Sequence, residues 1–326
     1  MATPRVLITS VFLHEGGDVD LRLRAAGIEP VYKHWRGERT EDELIDFLQG
    51  IDGAIVAGDR FTPRVMDAAP QLKVISRTGV GYDAIDVPAA TKRGIVVCNT
   101  PGVNRHAVAE YTFALILACS RHLEKNLAEV RKGGWARFEG IDLAGRTLGI
   151  VGMGTIGREV AQRARAFEMR ILAHDIYHDI QFAEEHQVTY VPLEQLLRES
   201  DFVTLHCFLN DRSRHLMNAE RLAMMKPTAY LINTSRGGVV DSQALYQALK
   251  ERRIAGAALD VFEEEPLGES PLRELDNLCM SPHAAGVSSD ARALSGMTAA
   301  ENAIRVLKGE RPIHTVNPEA WDRRRV

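Results

Sequence analysis

Short β-branched runs alternate with amphipathic helical runs through most of the chain. Strand-like runs stand at 6–9, 53–56, 73–76 and 95–97, with helical stretches between them at 41–48 and 63–68. Thr40 and Glu43 fit a capping box at the first of these helices, because a cap oxygen and a carboxylate three residues on satisfy each other's orphan N–H groups. Pro63 suits the first turn of the second, where its missing N–H costs nothing. A further strand series runs through 147–151, 170–173, 202–205, 229–233 and 257–261, with helices at 158–167, 193–199 and 242–251. Such alternation predicts an α/β fold of parallel strands joined by crossover helices.

Two sheets are expected rather than one. The first series ends near 99–101 in the turn signal Pro101-Gly102, and a long apolar helix over 107–121 would bridge the units. The final helix, 289–308, spaces Ala293, Met297, Ala300, Ile304 and Leu307 so that they need a surface to pack on. A return to the first domain is one solution.

Composition narrows the class. With 326 residues, 45% hydrophobic, 26% charged and a net charge of −4, the chain is neither disordered nor collagen-like. At about 150 residues per domain the length suits two. A near-neutral chain has no field to gather nucleic acid or an anionic membrane, so neither is an expected partner. Arg323-Arg324-Arg325 is the local exception, expected as a solvated tail. Cys98, Cys119, Cys207 and Cys279 have neither paired nor metal-ligand spacing, which predicts reduced thiols, no metal site and a cytoplasmic setting. The opening Met-Ala-Thr-Pro-Arg runs into a strand, unlike a secretory signal. The apolar stretch 107–119 is too short to cross a bilayer and contains Glu110.

Candidate chemistry begins at Gly152-Met153-Gly154-Thr155-Ile156-Gly157, which has the G-x-G-x-x-G spacing of a dinucleotide-binding loop. It follows the run 147–151, precedes the helix 158–167, and is followed by Asp175 at the end of the next strand. Uncapped N–H groups at a helix start favour a pyrophosphate, and an acidic residue in that place accepts hydrogen bonds from a ribose. Asp175 would repel a 2′-phosphate, and His174, Ile176 and Tyr177 supply no arginine to neutralise one, so NAD is expected over NADP. A second glycine turn, Gly79-Val80-Gly81-Tyr82-Asp83-Ala84, lacks a carboxylate at the end of its next strand. Its backbone at Val80 and Gly81 suits a small carboxylate, with a plain structural turn as the alternative.

Polar residues end the later strands: His206, Thr234-Ser235-Arg236, Asp260 and, further on, His283. Open parallel sheets bind ligands at that edge. Arg236, followed by Gly237 and Gly238, suits bidentate capture of a carboxylate. Glu265 ends the acidic run 263–265, and a carboxylate beside His283 would favour the charged ring and equip it to give and take a proton near neutral pH. Spacing leaves a structural histidine and a solvated acidic face open as alternatives.

Together the motifs Val-Gly-Met-Gly-Thr-Ile-Gly, Asn-Thr-Ser-Arg-Gly-Gly-Val-Val-Asp, Ala-Leu-Asp-Val-Phe-Glu-Glu-Glu-Pro and Ser-Pro-His-Ala-Ala-Gly closely resemble the D-isomer-specific 2-hydroxyacid dehydrogenases. The phosphoglycerate dehydrogenase-like branch is nearest, and the resemblance runs from residue 53 through the last helix, including Arg77-Thr78-Gly79-Val80-Gly81-Tyr82-Asp83 and Asn99-Thr100-Pro101-Gly102. It implies two doubly wound parallel-sheet domains: a flavodoxin-like substrate domain from 1–100 plus 288–326, and a Rossmann NAD-binding domain over 101–287. It further implies an active site in the cleft between them, a homodimer, NAD as cofactor and a small 2-oxo or 2-hydroxy acid as substrate. The family's catalytic triad falls on Arg236, Glu265 and His283. Cofactor contacts fall on Gly152, Gly154, Thr155, Ile156, Gly157, Asp175, His206, Thr234, Asp260 and Gly286, and the substrate carboxylate near Arg236 and the Val80–Gly81 backbone.

Departures from the family bear on the substrate. Val56-Ala57-Gly58-Asp59 stands where bacterial phosphoglycerate dehydrogenases resemble one another in a basic segment that meets the phosphate, and Arg60 is offset from it. An aspartate there disfavours a phosphate, so an unphosphorylated acid such as hydroxypyruvate or glyoxylate gains weight. Phe208 replaces a common proline and Ala84 a common asparagine. The same fold also resembles NADH-binding transcriptional corepressors, which leaves an NADH-sensing binding protein as the alternative from another class. The loop at Gly133-Gly134-Trp135 is a candidate for crossing to a partner copy, unless Trp135 is core.

Overall fold

Runs that are apolar throughout become strands covered on both faces, as a parallel sheet with crossover helices requires. A computed structural model describes residues 3–34 and 39–325. Its first stretch contains β1 (Arg5–Ile8), α1 (Asp18–Ala25), β2 (Glu29–Tyr32), α2 (Glu41–Phe47), β3 (Gly53–Val56), α3 (Pro63–Asp67), β4 (Val74–Arg77), α4 (Val87–Lys92) and β5 (Val96–Cys98). The strands form one parallel sheet in the order β2-β1-β3-β4-β5. Both halves of the Thr40–Glu43 capping box are made, and Pro63 occupies the first turn of α3 behind a Thr62 cap.

The middle of the chain supplies α5 (Arg105–Ser120), α6 (Leu123–Arg131), β6 (Thr147–Val151), α7 (Thr155–Ala166), β7 (Arg170–His174), α8 (Ile180–His186), β8 (Val188–Tyr190), α9 (Leu193–Glu199), β9 (Phe202–Leu205), α10 (Ala219–Met224), β10 (Tyr230–Asn233), α11 (Ser242–Lys250), β11 (Gly256–Leu259) and β12 (Leu278–Met280). These strands form a second parallel sheet, β12-β11-β10-β9-β6-β7-β8. One face packs against α5 and α7 through Phe113, Ile116, Val160 and Ala164, and the other against α9 and α11 through Leu196, Leu197, Leu245 and Leu249. The chain thus divides into two compact units, Met1–Asn104 with Val287–Val326 and Arg105–Gly286. The α/β class with two parallel sheets is the one expected from the alternation of elements.

The last helix, α12 (Ser289–Leu307), covers one face of the first sheet, with Ala299, Ala300, Ala303 and Ile304 against Val6, Ile8, Ile55, Val74 and Val96. Full burial of an aliphatic side chain such as Ile8 or Ile55 is worth about 2 kcal/mol. The buried stripe differs from the expected one: Ala293 is exposed and Met297 half-buried, while Gly296 and Ala299 are buried. Small residues let the helix approach closely enough for the Ser76 hydroxyl to donate to the Ala299 carbonyl at 2.8 Å.

Two expectations are corrected. The helix over 107–121, expected to bridge the units, is α5 and lies wholly in the second, because Ala109, Phe113, Ile116 and Cys119 are buried in that unit's core. The basic tail is docked rather than solvated. The Arg325 guanidinium donates to the carbonyls of Ala69 (2.7 Å), Leu72 (3.0 Å) and Arg93 (3.0 Å), and Arg324 stacks on Trp321.

Candidate active site

Strand register assembles the site before any side chain is considered. Val151, Leu205, Asn233, Leu259 and Met280 are aligned partners across β6, β9, β10, β11 and β12. The residues that follow them, Gly152, His206, Thr234, Asp260 and Ser281, therefore leave one sheet edge side by side, about 4.8 Å apart per strand. Strand order reverses between β6 and β9, the switch point where open parallel sheets bind ligands.

Each glycine of the 152–157 loop has its own steric reason. Gly152 has φ +98, and a Cβ there would lie 2.7 Å from the His206 carbonyl carbon. A Cβ at Gly157 would lie 2.1 Å from the Gly152 oxygen, so only glycine lets α7 pack this close to the strand. Gly154 faces open space, which leaves its backbone approachable. The helix begins at Thr155, earlier than expected, so Thr155, Ile156 and Gly157 form its first turn, and Gly154 caps it without a side chain. That leaves backbone N–H donors and the positive helix end facing the opening, a fit for the pyrophosphate of a dinucleotide. Asp175 closes the next strand, its carboxylate accepting from Met153 N (2.5 Å) and Tyr177 N (3.1 Å). Arg158 of α7, the arginine nearest the loop in sequence, is paired with Asp179 at 2.8 Å.

The His206 ring accepts or donates at Nε2 with the Thr204 hydroxyl at 3.0 Å, whereas Nδ1 is shielded from solvent with no partner among the described residues. Burial drives its pKa down to about 3, so the ring is neutral. A buried nitrogen beside Gly152 with no partner among the described residues fits a bound dinucleotide. Thr234 turns its hydroxyl to Thr112 of α5 at 3.1 Å.

Asp260 is buried, and its carboxylate accepts from Ser281 Oγ (2.6 Å), Ala284 N (2.8 Å) and Ala285 N (2.8 Å). Those bonds hold the 281–285 turn in place, a role that its position at a strand end does not reveal. Gly286 follows directly as the last residue of the unit.

Arg236, Glu265 and His283 lie on segments brought together by close backbone contact. A Cβ at Gly237 would lie 1.9 Å from the Phe262 carbonyl carbon, so the Arg236 turn presses directly on the strand-end segment leading to Glu265. Asn233 shapes that turn, accepting from Ser235 N (3.0 Å) and donating to Arg236 O (2.9 Å). Glu265 Oε2 contacts His283 Nδ1 at 2.7 Å, and its Oε1 accepts from Phe262 N at 2.9 Å. Burial alone would raise the Glu265 pKa, but the bonds from His283 and Phe262 and the charges of His283 and Arg236 outweigh it and hold the carboxyl below its ordinary value. His283 has φ +53, a left-handed conformation costing about 1 kcal/mol for a non-glycine residue. Its N–H donates to Asp260 O at 2.8 Å, so Asp260 supports the conformation through its backbone as well as its carboxylate.

In the first unit, Gly79 has φ +154 and Asn99 Nδ2 donates to Val80 O at 2.8 Å, while the N–H groups of Val80 and Gly81 make no hydrogen bond among the described residues. The Asp59 side chain is buried, accepting from Thr9 Oγ1 at 2.5 Å and paired with Arg39. Sequence reading missed Arg39 as that partner, since nothing in the spacing of residues 20 apart signals it. It also gave no ligand role to Ile176 and Tyr177, which are 97% and 70% exposed beside Asp175 and offer an apolar face next to its carboxylate. Their signal was two apolar residues following the acidic one. Among the described residues no group of metal-ligating side chains gathers, and no helix is long and apolar enough to cross a membrane.

The sequence profile of the family described as D-isomer specific 2-hydroxyacid dehydrogenase, NAD binding domain, matches residues 113–285. A glyoxylate reductase of Korarchaeum cryptofilum is 44% identical over 308 residues, which cover 90% of this chain and 93% of that protein. A D-3-phosphoglycerate dehydrogenase of Methanocaldococcus jannaschii is 43% identical over 282 residues, covering 85% of this chain and 54% of its own length. The crystal structure of the TT0316 protein from Thermus thermophilus superposes with a TM-score of 0.89 at 39% identity, covering 96% of this chain and 99% of that one.

Proposed function

The chain belongs to the D-isomer specific 2-hydroxyacid dehydrogenase family, and we propose that it reduces a small unphosphorylated 2-oxo acid, glyoxylate or hydroxypyruvate, with Arg236, Glu265 and His283. It is an NAD-dependent oxidoreductase that moves a hydride to or from C2 of a 2-oxo or 2-hydroxy acid. The observation that carries the catalytic assignment is the 2.7 Å contact of Glu265 with His283 at one end of the row of strand-terminal groups.

The second unit would hold the cofactor, with pyrophosphate on the first turn of α7 and ribose at Asp175. His206, Thr234 and Asp260 follow the aligned strand ends, and Gly286 would join them in holding the cofactor. Bound NADH supplies the hydride that C2 of the oxo acid receives. Arg236 pairs with the substrate carboxylate through parallel N–H bonds, which fixes the C2 carbonyl and draws electron density toward its oxygen. The first unit would act as the substrate domain, and the N–H groups of Val80 and Gly81, which make no hydrogen bond among the described residues, are its candidate donors to a carboxylate. Because Glu265 holds His283 at Nδ1, Nε2 is the atom that passes a proton to the C2 oxygen. Glu265 holds the ring through Nδ1, and the Asp260-held turn keeps its orientation.

The preference for an unphosphorylated acid is supported by Asp59, whose charge is matched by Arg39. The pair presents no surplus positive charge to a phosphate. Loss of NADH absorbance with glyoxylate, hydroxypyruvate, pyruvate, 2-oxoglutarate and phosphohydroxypyruvate, with NADPH as control, tests this directly. We expect an unphosphorylated acid to give the highest kcat/KM; fastest turnover of phosphohydroxypyruvate overturns the substrate reading.

The protein would work as a homodimer in the cytoplasm. Leu123, Leu127 and Val130 fall on one side of α6 at helical spacing and are all exposed, with Trp135 (77% exposed) and Phe138 following. Trp135 is therefore not core, and a second copy of this chain is the partner such a stripe suits. Four free cysteines are consistent with a reducing compartment.

A further inference from the structure

Two of the four cysteines meet although 160 positions separate them. Cys119, near the end of α5, and Cys279, in the middle of the edge strand β12, have their sulfur atoms 3.9 Å apart. Cys119 is buried, whereas Cys279 is only partly buried. The Cys119 S–H has two acceptors, the Ala257 carbonyl at 3.8 Å and the Cys279 sulfur at 3.9 Å. We propose that Cys119 and Cys279 form an oxidisable dithiol, a modification site at which a peroxide attacks Cys279 first and Cys119 then closes a reversible disulfide.

The order of events follows from geometry and charge. Only the thiol with access can meet a peroxide, and of the two that is Cys279. The bond from Cys119 lowers the Cys279 pKa, with Lys125 adding to it against burial and Glu124. The same bond, followed by burial, raises that of Cys119. Cys98 and Cys207 lack such help, and burial pushes their thiols up to about 12 and about 11.

The Cys279 thiolate attacks one peroxide oxygen and the O–O bond breaks, leaving Cys279 as a sulfenic acid while the departing hydroxide takes a proton to become water. The Cys119 sulfur then attacks the Cys279 sulfur. The S–O bond breaks, and the released hydroxide leaves as a second water with the Cys119 proton. Two thiols are oxidised and one peroxide is reduced to two waters. A disulfide needs the sulfur atoms about 2.0 Å apart, so side-chain rotation and a small approach of α5 to β12 must supply the remaining gap. Cys119 thereby spares Cys279 from the irreversible sulfinic acid.

The test is intact mass and peptide mapping after graded hydrogen peroxide, on the full chain as purified. The wild type is expected to lose about 2 Da at the Cys119–Cys279 pair, reversed by a thiol reductant, while Cys119→Ser gains about 32 Da at Cys279 that no thiol reverses. Cys119→Ala serves as a second variant with no polar atom left in the core, and it should behave like Cys119→Ser. Cys279→Ser should leave Cys119 unmodified. A wild type that accumulates the sulfinic acid at Cys279 as fast as Cys119→Ser, or a disulfide mapped to Cys98 or Cys207, overturns the proposal.

Discussion

Both sheets end in a row of polar residues, and the two rows are used differently. At the edge of the first sheet Thr9 donates to Asp59 at 2.5 Å, Arg39 pairs with Asp59, Ser10 and Thr78 share a bond of 2.8 Å, and Arg77 donates to Ala57 O at 3.1 Å. At the edge of the second, His206 Nδ1 has no partner among the described residues and α7 begins without a side-chain cap. A bond satisfied inside the chain adds about 1 kcal/mol, while a buried group left without one costs about 1–3 kcal/mol that a ligand can return. The two glycine turns differ in what their glycines pack against. Gly157 is held against backbone at Gly152, where nothing can give, but a Cβ at Gly79 would meet the far end of the Arg77 side chain. A glycine pattern after a strand is therefore weak evidence by itself, and the chemistry left open at the neighbouring strand end decides which turn holds a cofactor.

The sharpest way to break this contrast is to remove the open edge's reactive groups. His283→Ala should lower kcat/KM about 1,000-fold or more, since it removes the proposed proton donor. Arg236→Ala should follow with a loss of roughly 100–1,000-fold, mostly in substrate capture and carbonyl polarisation. Neither side chain belongs to the glycine loop, so NADH affinity measured by fluorescence should stay near the wild-type value. Turnover by Arg236→Ala at the wild-type rate would remove it from the mechanism.

Glu265→Gln is expected to cost less, about 10–100-fold in kcat, because the histidine remains and loses only its ionic support. It also carries a pH signature. The Glu265 carboxyl is held below its ordinary value of 4.5, so the folded state favours the ionised form. Its contribution to stability is complete above that value and disappears as the pH falls through the lower folded-state pKa. The Tm difference between wild type and Glu265→Gln should therefore shrink on acidification below about pH 4.5. A constant difference from neutral to acid pH would mean that the carboxylate's charge does not stabilise the fold.

How much of this was legible in the sequence depended on how local the cause was. Strands Gly53–Val56, Thr147–Val151 and Phe202–Leu205 have the bounds read from their apolar runs, since all are buried on both faces. Edge strands were missed: Glu29–Tyr32 contains a glutamate and a proline, and Leu278–Met280 is three residues long, so neither produces a run. The row His206, Thr234, Asp260 was visible because polar residues end apolar strands. What Asp260 does was not, because its partners Ser281, Ala284 and Ala285 come more than 20 residues later. The Cys119–Cys279 contact and the docking of Arg325 under Ala69 and Leu72 depend likewise on chain return, which leaves no periodic trace.

The smallest effect on turnover is expected at the closed edge, and it tests whether that edge is closed by charge. Asp59→Asn keeps the side chain's size and one acceptor oxygen, so the bond from Thr9 can persist. It removes the negative charge opposite Arg39, which is itself only 7% exposed and already has an unpartnered Nε. Losing one member of a buried ion pair costs about 3 kcal/mol, because the other charge is left without compensation. The variant should therefore melt several degrees lower while its kcat/KM for glyoxylate stays within about threefold of wild type. The uncovered guanidinium should also favour an anion, raising kcat/KM for phosphohydroxypyruvate relative to glyoxylate by about tenfold at low salt. An unchanged Tm together with an unchanged substrate ratio would mean that Arg39 does not neutralise Asp59, and the contrast between the two edges would then rest on the glycine loop and His206 alone.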